Sequence, residues 1–468
     1  MTLSILILIP ILTALLTFFV RKKTKDIATV GSIVLAGFAG YSVTLFNTAE
    51  RGMQLLEYYT WFTVDSFEVA LSLGTDGISY PMILLTALLG VVAVLVSRRE
   101  IKKDERQYYA LLMLLIASII GVFASLDLIV FFVFWEAVLV LMFLLVLKWG
   151  GKERKYAAMK FLVYTGIGSA GLLLVIILLA VFAGTVSLTD TFVLEPWVQY
   201  TIFCSLLFAF FIKIPIVPFH TWLPDAHVQA PTAGSILLAG VMLKMGGYGL
   251  LRLGLLVVPD MTVVFQTFLF AMGTLTIIYG AWVCLAQHNL KKLIAYSSVN
   301  HMGFVLLGIA AGSTLGVTGA VFEMLSHGLI AALLFALAGL VHQKSGTFDI
   351  DKLHGLVSVM PRTAWLLTIA ALGGLGLPSM TGFIAEFLVL FASFQTFGLW
   401  TILPLLGIIL TGGYMVRMLS RVVFGKSKAK LSEKKVNIIP FAILTIVIFI
   451  LGIFPFLILS IITASAFT

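Results

Sequence analysis

Charged and imidazole side chains recur inside stretches of this sequence that are otherwise apolar. Away from the loops there are three glutamates, three lysines and three histidines: Glu136, Glu323, Glu386, Lys160, Lys213, Lys244, His220, His301 and His327. An ionisable side chain costs at least ~2.5–3.5 kcal/mol to insert into a bilayer, so such residues usually have a partner and a function. A row of groups that gain and lose protons is what proton transfer across a membrane requires. These residue types therefore point to ion translocation.

Several of these residues also have a purely structural interpretation. A buried Glu–Lys pair can simply fix the register of two helices. Lys160 lies near the end of its span, where its long side chain can reach the cytoplasmic face. Glu323 and His327 are four residues apart, on one face of a helix, and can satisfy each other. Lys244 lies midway along its span without a local partner, and together with the others it favours the functional interpretation.

Two of the apolar stretches are interrupted by proline. The stretch FFIKIPIVPFHTWLPDAH (210–227) contains Lys213, His220 and two prolines within nine residues. Proline removes a backbone donor and clashes with the preceding turn, which leaves carbonyl groups free. Such a break is tolerated inside a membrane only where protein or trapped water satisfies the backbone. The stretch LGGLGLPSMTGFIAEF (372–387) has the same character, with Glu386 about two turns after its proline.

The elements that must position these groups are transmembrane helices. Of 468 residues, 61% are hydrophobic and 11% charged, against about 25% charged in a soluble protein. Apolar stretches of about 20 residues, enough to cross a hydrocarbon core of about 30 Å, recur from end to end. We therefore predict an all-α polytopic membrane protein with about fourteen transmembrane helices. The spans are placed near 2–20, 27–46, 76–97, 107–124, 126–147, 156–184, 198–219, 233–256, 262–285, 293–312, 314–341, 362–397 (interrupted), 401–424 and 436–462.

The basic residues predict the orientation of these spans. Six segments carry 25 of the 30 lysines and arginines, and all six fall on one side if the spans alternate: 21–26, 97–106, 148–155, 286–292, 342–362 and 417–435. The opposite loops hold only Arg51, with Arg252 at the end of a span. By the positive-inside rule both termini lie outside the cytoplasm. The net charge of +9 is thereby explained without nucleic acid.

The two interrupted spans, the seventh and the twelfth, lie five spans apart. This spacing predicts two five-helix repeats, spans 4–8 and 9–13, with broken helices 7 and 12. Because each repeat has an odd number of spans, the two copies are inverted relative to each other. The predicted organisation is a three-helix segment (1–106), a first repeat (107–256), a second repeat (257–424) and a C-terminal helix (425–468).

The sequence offers no recognisable site for a redox cofactor, a nucleotide or a metal. Cys204 and Cys284 both lie in apolar spans and are interpreted as small core residues, not as a disulfide or metal pair. No CxxC, dinucleotide-binding glycine pattern or phosphate-binding loop occurs in a usable context. We therefore expect no cofactor in this chain.

Several stretches resemble the antiporter-like proton-pumping subunits of respiratory complex I, and chain M most closely. They lie within roughly residues 100–400 and read FFVFWEAVLVLMF, KIPIVPFHTWLPDAHVQAPTAGSILLAG, LKMGGYGLLR, NLKKLIAYSSVNHMGF, MLSHGLIAALLF and GLPSMTGFIAEF. The resemblance implies a role for each matching residue: Glu136 and Lys213 form a glutamate–lysine pair, Lys244 is the central lysine, His301 and His327 are connecting histidines, and Glu386 is the acid on the second broken helix.

The residue at position 386 separates members of the family. Chain L and several subunits of multi-subunit cation antiporters resemble the pattern but carry lysine there. Glutamate favours chain M, or its counterpart in a related complex that oxidises another reduced cofactor. The alternatives left open are a membrane-bound hydrogenase and a multi-subunit Na⁺/H⁺ antiporter.

The resemblance implies an ion-translocating subunit without a redox centre, driven by changes in neighbouring subunits. Burial disfavours charge on Lys213 and a carboxylate favours it, so Lys213 would exchange a proton as Glu136 shifts. Lys244, with His301 and His327, would pass charge laterally to Glu386, the exchange point towards the outer side. His220 and Glu323 are weaker candidates.

The expected partners are other antiporter-like and quinone-module membrane subunits of a complex I-like assembly. Flavin, iron–sulfur clusters and quinone are expected in those subunits, and the expected location is the plasma membrane of a prokaryotic cell. Two rival functions remain at this point. The chain could belong to a sodium–proton antiporter, or it could be a scaffold whose buried charges only hold helices together.

Overall fold

The computed structural model describes residues 1–20, 22–64, 67–425, 431–434 and 436–464 and consists mainly of long apolar helices. The first part contains α1 (Thr2–Phe19), α2 (Thr24–Ser42), β1 (Gln54–Val64), β2 (Phe67–Thr75), α3 (Ser79–Glu100), α4 (Glu105–Ala124), α5 (Leu128–Trp149), α6 (Arg154–Phe182), α7 (Pro196–Lys213) and α8 (Trp222–Gln229). There follow α9 (Thr232–Leu237), α10 (Leu243–Gly249), α11 (Leu255–Val257), α12 (Pro259–Val264), α13 (Gln266–Leu285), α14 (Leu290–Ala310) and α15 (Thr314–Ser345). The last helices are α16 (Leu356–Val359), α17 (Pro361–Gly374), α18 (Thr381–Phe397), α19 (Ile402–Val422), α20 (Ile439–Ile453) and α21 (Phe456–Ile462).

The predicted class of polytopic helical membrane protein is confirmed. Within the described ranges, twelve helices are long and apolar enough to cross a membrane, or thirteen if the bent pair α20 and α21 counts as one span. The difference from fourteen lies at residues 361–422, where α17 has only 14 residues and α18 with α19 forms one apolar run of 42 residues. A straight run of that length measures roughly 63 Å, about twice a hydrocarbon core. The count of fourteen, the two repeats and the four domain bounds stay predictions.

A short antiparallel hairpin interrupts the helices between α2 and α3, and the prediction of an all-helical chain missed it. The strands β1 and β2 pair from Gln54 opposite Thr75 to Val64 opposite Phe67. The sequence QLLEYYTWFTV of β1 is rich in aromatic and β-branched residues, which pack well on a pleated strand. Tyr58 and Trp61 lie on its exposed face.

Helix α15 forms the centre of the molecule. It packs against α14, α17, α18 and α20, and every residue from Gly316 to Val341 is buried. A helix that is apolar on all faces is typical of a protein core or of a membrane span. Two of its titratable residues, Glu323 and His327, lie within this buried stretch.

Helices α9, α10 and α11 form one continuous span, Thr232–Val257, that is buried from Thr232 to Gly254. Two π-helical turns, Leu238–Met242 and Leu250–Gly254, join its segments. Such turns occur frequently at functional sites, because the widened backbone re-aims the side chains around them. Lys244 lies directly after the first of these turns.

Both predicted helix breaks are confirmed. The first separates α7 from α8, and there the Val217 amide donates to the Thr276 hydroxyl at 3.2 Å, so a side chain of α13 satisfies part of the exposed backbone. The second separates α17 from α18, and Gly376 adopts a φ of +76° in it. A Cβ atom at Gly376 would lie 2.6 Å from Oε2 of Glu386, so the backbone of this break directly contacts the carboxylate.

Candidate ion-translocation site

Lys213 is the last residue of α7, and its ammonium group faces α5. The side chain is 2% exposed, and Nζ lies 4.6 Å from the centre of the Trp135 ring, a cation–π contact. Glu136, which follows Trp135 on α5, is half-buried. Among the described residues, neither Lys213 Nζ nor Glu136 Oε1 has a hydrogen-bond partner. Lys213 therefore contacts the residue before Glu136 on α5, and the predicted pair makes no direct hydrogen bond.

Lys244 is completely buried and contacts a histidine of the central helix. Its Nζ donates to the Ala239 carbonyl within its own bulged helix, and it lies 2.6 Å from Nδ1 of His327 on α15. The sequence analysis found no local partner for Lys244, and the structure supplies one from a helix 83 residues away. This contact joins the predicted central lysine to one of the predicted connecting histidines.

His301 connects the two helices that carry the buried glutamates. Its Nδ1 lies 3.1 Å from Oε1 of Glu323 on α15 and 3.8 Å from Oε1 of Glu386 on α18. The suggestion that Glu323 and His327 satisfy each other is therefore wrong, because each bonds to a residue on a different helix. The rings of His301 and His327 lie 5.4 Å apart, centre to centre.

These contacts form one continuous row of titratable groups across four helices. The row runs from Lys244 through His327 to His301, and His301 then contacts both Glu323 and Glu386. At the Lys244 end, a Cβ atom at Gly246 would lie 2.7 Å from Ile214 and 3.1 Å from Cβ of Lys213. The glycine therefore lets α10 pack directly on the end of α7. The row and the Lys213 region are neighbours, although Lys213 and Lys244 make no hydrogen bond to each other.

His220 lies outside the row. It is in the break after α7, where its ring packs edge-on against Tyr279 at 5.0 Å and near Tyr296 at 6.2 Å. Its Nδ1 has no partner among the described residues. Lys160 forms an ion pair with Asp225 at 2.7 Å and is one-fifth exposed, which supports the structural interpretation of this lysine.

The sequence between residues 125 and 411 matches the family model described as NADH:quinone oxidoreductase/Mrp antiporter, transmembrane. This chain belongs to that family. The match covers both broken helices and every residue of the row.

Relatives within the NADH:quinone oxidoreductase/Mrp antiporter family match this chain over nearly its whole length. F(420)H(2) dehydrogenase subunit M of Methanosarcina mazei is 38% identical over 97% of this chain and 94% of the relative. NADH-quinone oxidoreductase subunit M of Rickettsia conorii is 37% identical over 99% of this chain and 97% of the relative. A chain in the structure of respiratory complex I from Thermus thermophilus with bound NADH superposes with a TM-score of 0.90, at 26% identity and 99% coverage of both chains.

The sequence analysis did not anticipate the burial of two cations, Lys291 and Arg252. Lys291 was counted in a loop, but it is 3% exposed and its Nζ donates to the Ala230 carbonyl at 2.7 Å. Arg252 was placed at a span end, but it is fully buried and Nη1 donates to Oδ2 of Asp76 at 3.1 Å. Asp76 precedes Arg252 by 176 residues, so no local spacing signals the pair.

Two further residues differ from the sequence-based interpretation. Cys284 is buried as expected, whereas Cys204 is exposed on the surface of α7 and is not a core residue. His227 was not considered as a candidate, yet it is completely buried on α8.

Proposed function

We propose that this chain is the proton-translocating membrane subunit of a complex that oxidises a reduced cofactor and reduces a quinone. The observation that carries the proposal is the row from Lys244 to Glu386, whose members contact one another across four helices. Two similar proteins, named as subunits M of an NADH-quinone oxidoreductase and of an F(420)H(2) dehydrogenase, support the same function.

Each group in the row is suited to pass a proton to its neighbour. Lysine and glutamate exchange one proton each, and an imidazole can bind a proton at one nitrogen and release it from the other. Lys244 is in direct contact with His327, and His301 with Glu323, so a proton can pass within each pair without an intervening group. Glu386, beside the break at Gly376, is proposed as the exchange point towards the outer side.

Lys213 and Glu136 are proposed to control the loading of this row. Lys213 rests over Trp135 without a hydrogen bond to a carboxylate, so a movement of Glu136 changes how strongly its charge is stabilised. The close approach of α7 to α10 at Gly246 would transmit that change to Lys244. Electron transfer in neighbouring subunits would drive the movement.

The remaining components of the reaction are proposed to lie in partner subunits. The relatives are named as subunits of oxidoreductases, so flavin, iron–sulfur clusters and quinone would be bound by the partners of this chain. Those partners would include further antiporter-like subunits in the plasma membrane of a prokaryotic cell. The one-sided basic loops favour both termini on the non-cytoplasmic side, although residues 426–430 and 435 of the segment 417–435 lie outside the described residues.

The experiment that tests this function begins with purification of the complex through this chain in mild detergent. Flavin and iron–sulfur subunits should co-purify, and sealed vesicles containing the complex should take up protons while they oxidise the donor. A Lys244→Met complex that assembles should oxidise the donor slowly and take up few protons. Full proton uptake by that variant would reject the role of the row.

A sodium–proton antiporter subunit is the second candidate, because the family description names the Mrp antiporter as well. In that case no redox subunits would co-purify, and the vesicles would exchange sodium for protons without a donor. Glu386 argues for the first candidate by the resemblance of subunits M, since antiporter subunits of this pattern carry lysine at that position.

A further inference from the structure

His227 is a fully buried imidazole that the row from Lys244 to Glu386 does not include. Its ring stacks on Phe335 with 4.3 Å between centres and an angle of 10°. Neither ring nitrogen has a hydrogen-bond partner among the described residues. Leaving one buried polar group unsatisfied costs about 1–3 kcal/mol. Packing on Phe335 explains why the face of the ring is buried, but it gives neither ring nitrogen a hydrogen-bond partner.

The charged groups that surround His227 lead in two directions. Towards the interior, its stacking partner Phe335 lies on the same helix as His327, whose Nδ1 is 2.6 Å from Nζ of Lys244. Towards the start of α14 lies Lys291, whose Nζ donates at 2.7 Å to the carbonyl of Ala230, three residues after His227. His227 thus packs on the helix that carries the Lys244–His327 contact, and it lies three residues before the carbonyl that holds Lys291.

Glu100 connects this set of residues to the surface of the protein. It is the last residue of α3 and only partly buried, and its carboxylate accepts hydrogen bonds from the Thr232 amide at 3.0 and 3.1 Å. Lys291 is in the first turn of α14 and is held nearby through the Ala230 carbonyl. Burial increases from Glu100 through Lys291 to His227, as expected for a path that leads inward.

We propose that Glu100, Lys291 and His227 form a second proton route that joins the Lys244–His327 pair to the surface where α3 ends and α14 begins. The ammonium group of Lys291 gives a proton to one nitrogen of His227, and the other nitrogen gives a proton to the amine of Lys244. Lys291 is then reprotonated from the Glu100 side. The inference rests on the proposed function and adds a loading point separate from Lys213.

The adjoining loops, 97–106 and 286–292, are both among the basic segments predicted to face the cytoplasm. The route therefore begins on the side from which a pump takes up its protons. It also explains why a lysine is buried at the start of α14, where the neighbouring Lys292 remains partly exposed.

The test uses the complete complex in sealed vesicles, with proton uptake and donor oxidation measured across a range of pH. His227→Phe preserves the stacking on Phe335 but removes both nitrogens. Lys291→Arg preserves the charge and the donor to Ala230, but a guanidinium does not release its proton in proteins. Both variants should lose proton uptake by about ten-fold or more, and Lys291→Met should lose as much as Lys291→Arg. The control is Lys292→Arg, which should keep the uptake of the unchanged complex.

Three outcomes would reject the route. One is full uptake by an assembled His227→Phe complex, and another is full uptake by Lys291→Arg when Lys291→Met is inactive, since charge alone would then suffice. The third is an equal loss in Lys292→Arg. If His227→Phe fails to assemble, His227→Gln replaces it, with the same expected loss. Lys244→Met separates the two proposals. If the Lys244→Met complex keeps its proton uptake, the proposed function is rejected. If Lys244→Met loses proton uptake while His227→Phe keeps it, only the second route is rejected.

Discussion

Nζ of Lys244 and Nδ1 of His327 lie 2.6 Å apart, although 83 residues separate them in the sequence. The contact joins α10, which follows the first π-helical turn, to the central helix α15, and both residues are buried. A lysine and a histidine in direct contact cannot both carry a charge cheaply in a low-dielectric interior. The pair is therefore suited to share one proton, and this property underlies the first prediction.

We expect Lys244→Met and His327→Gln each to lower proton uptake by about ten-fold or more, because either change interrupts the row. The double variant should be little slower than either single variant, since the two residues act as a unit. Uptake in sealed vesicles measures all three. Lys160→Gln is the control, since this lysine only pairs with Asp225 near the surface, and it should change uptake by less than about two-fold. Losses that multiply in the double variant would contradict a shared proton.

Glu386→Gln should stop proton transfer while the complex remains assembled, because glutamine keeps the shape of the side chain but does not titrate. In a tightly coupled redox complex, donor oxidation should slow in parallel. Both rates are measured side by side in vesicles. Glu195→Gln, an exposed residue before α7, should change neither rate. If the Glu386→Gln complex pumps as many protons per electron as the unchanged complex, Glu386 has a structural role and is not the exchange point towards the outer side.

Gly376→Ala tests the position of Glu386 without changing any titratable group. The new Cβ atom would lie 2.6 Å from Oε2 of Glu386, and alanine is strained at a φ of +76° by about 1–2 kcal/mol. We expect assembly to persist and proton uptake to fall by about ten-fold or more, as with Glu386→Gln. Gly346→Ala provides the matched control, because its φ of +73° brings similar strain while no atom lies within 4 Å of the added Cβ. Similar uptake by the two variants would show that the contact with Glu386 has no consequence.

Asp76→Asn should destabilise the chain by about 3–5 kcal/mol, because it leaves the buried guanidinium of Arg252 without its counter-charge. The comparison is Asp26→Asn, which breaks the exposed ion pair with Arg98 and should cost no more than about 1 kcal/mol. Thermal unfolding of the purified complex in detergent measures both. Equal unfolding temperatures for the two variants would show that the buried pair contributes little to stability.

Labelling of single cysteines tests the orientation of the spans. In a background with Cys204→Ser and Cys284→Ser, a cysteine at Gly346 should react only from the cytoplasmic side. A cysteine at Ala49 should react only from the outside. A membrane-impermeant maleimide applied to intact cells and to inverted vesicles distinguishes the two sides. Labelling of both positions from one side would overturn the predicted topology.

Much of this protein follows from its sequence, because the relevant signals are local. A helix in lipid needs about 20 consecutive apolar residues, so the spans are visible in composition alone. A proline within such a run removes a backbone donor and crowds the preceding turn, which predicted the interruptions after Lys213 and before Glu386, whereas the lone Pro10 leaves α1 continuous. The residues of the row were also identifiable, since an ionisable group in an apolar run is rare whatever it contacts.

The partners of those residues depended on the tertiary structure. Glu323 bonds to His301 and not to His327, although His327 is the nearer residue in sequence, because packing of α15 turns the two side chains towards different helices. Arg252 and Lys291 appeared to belong to a span end and a loop, yet neighbouring helices bury both. Two residues that are far apart in the sequence come into contact only when each helix has a fixed rotation about its axis and a fixed position along the membrane normal. Those quantities come from the packing of the whole bundle and not from any local pattern.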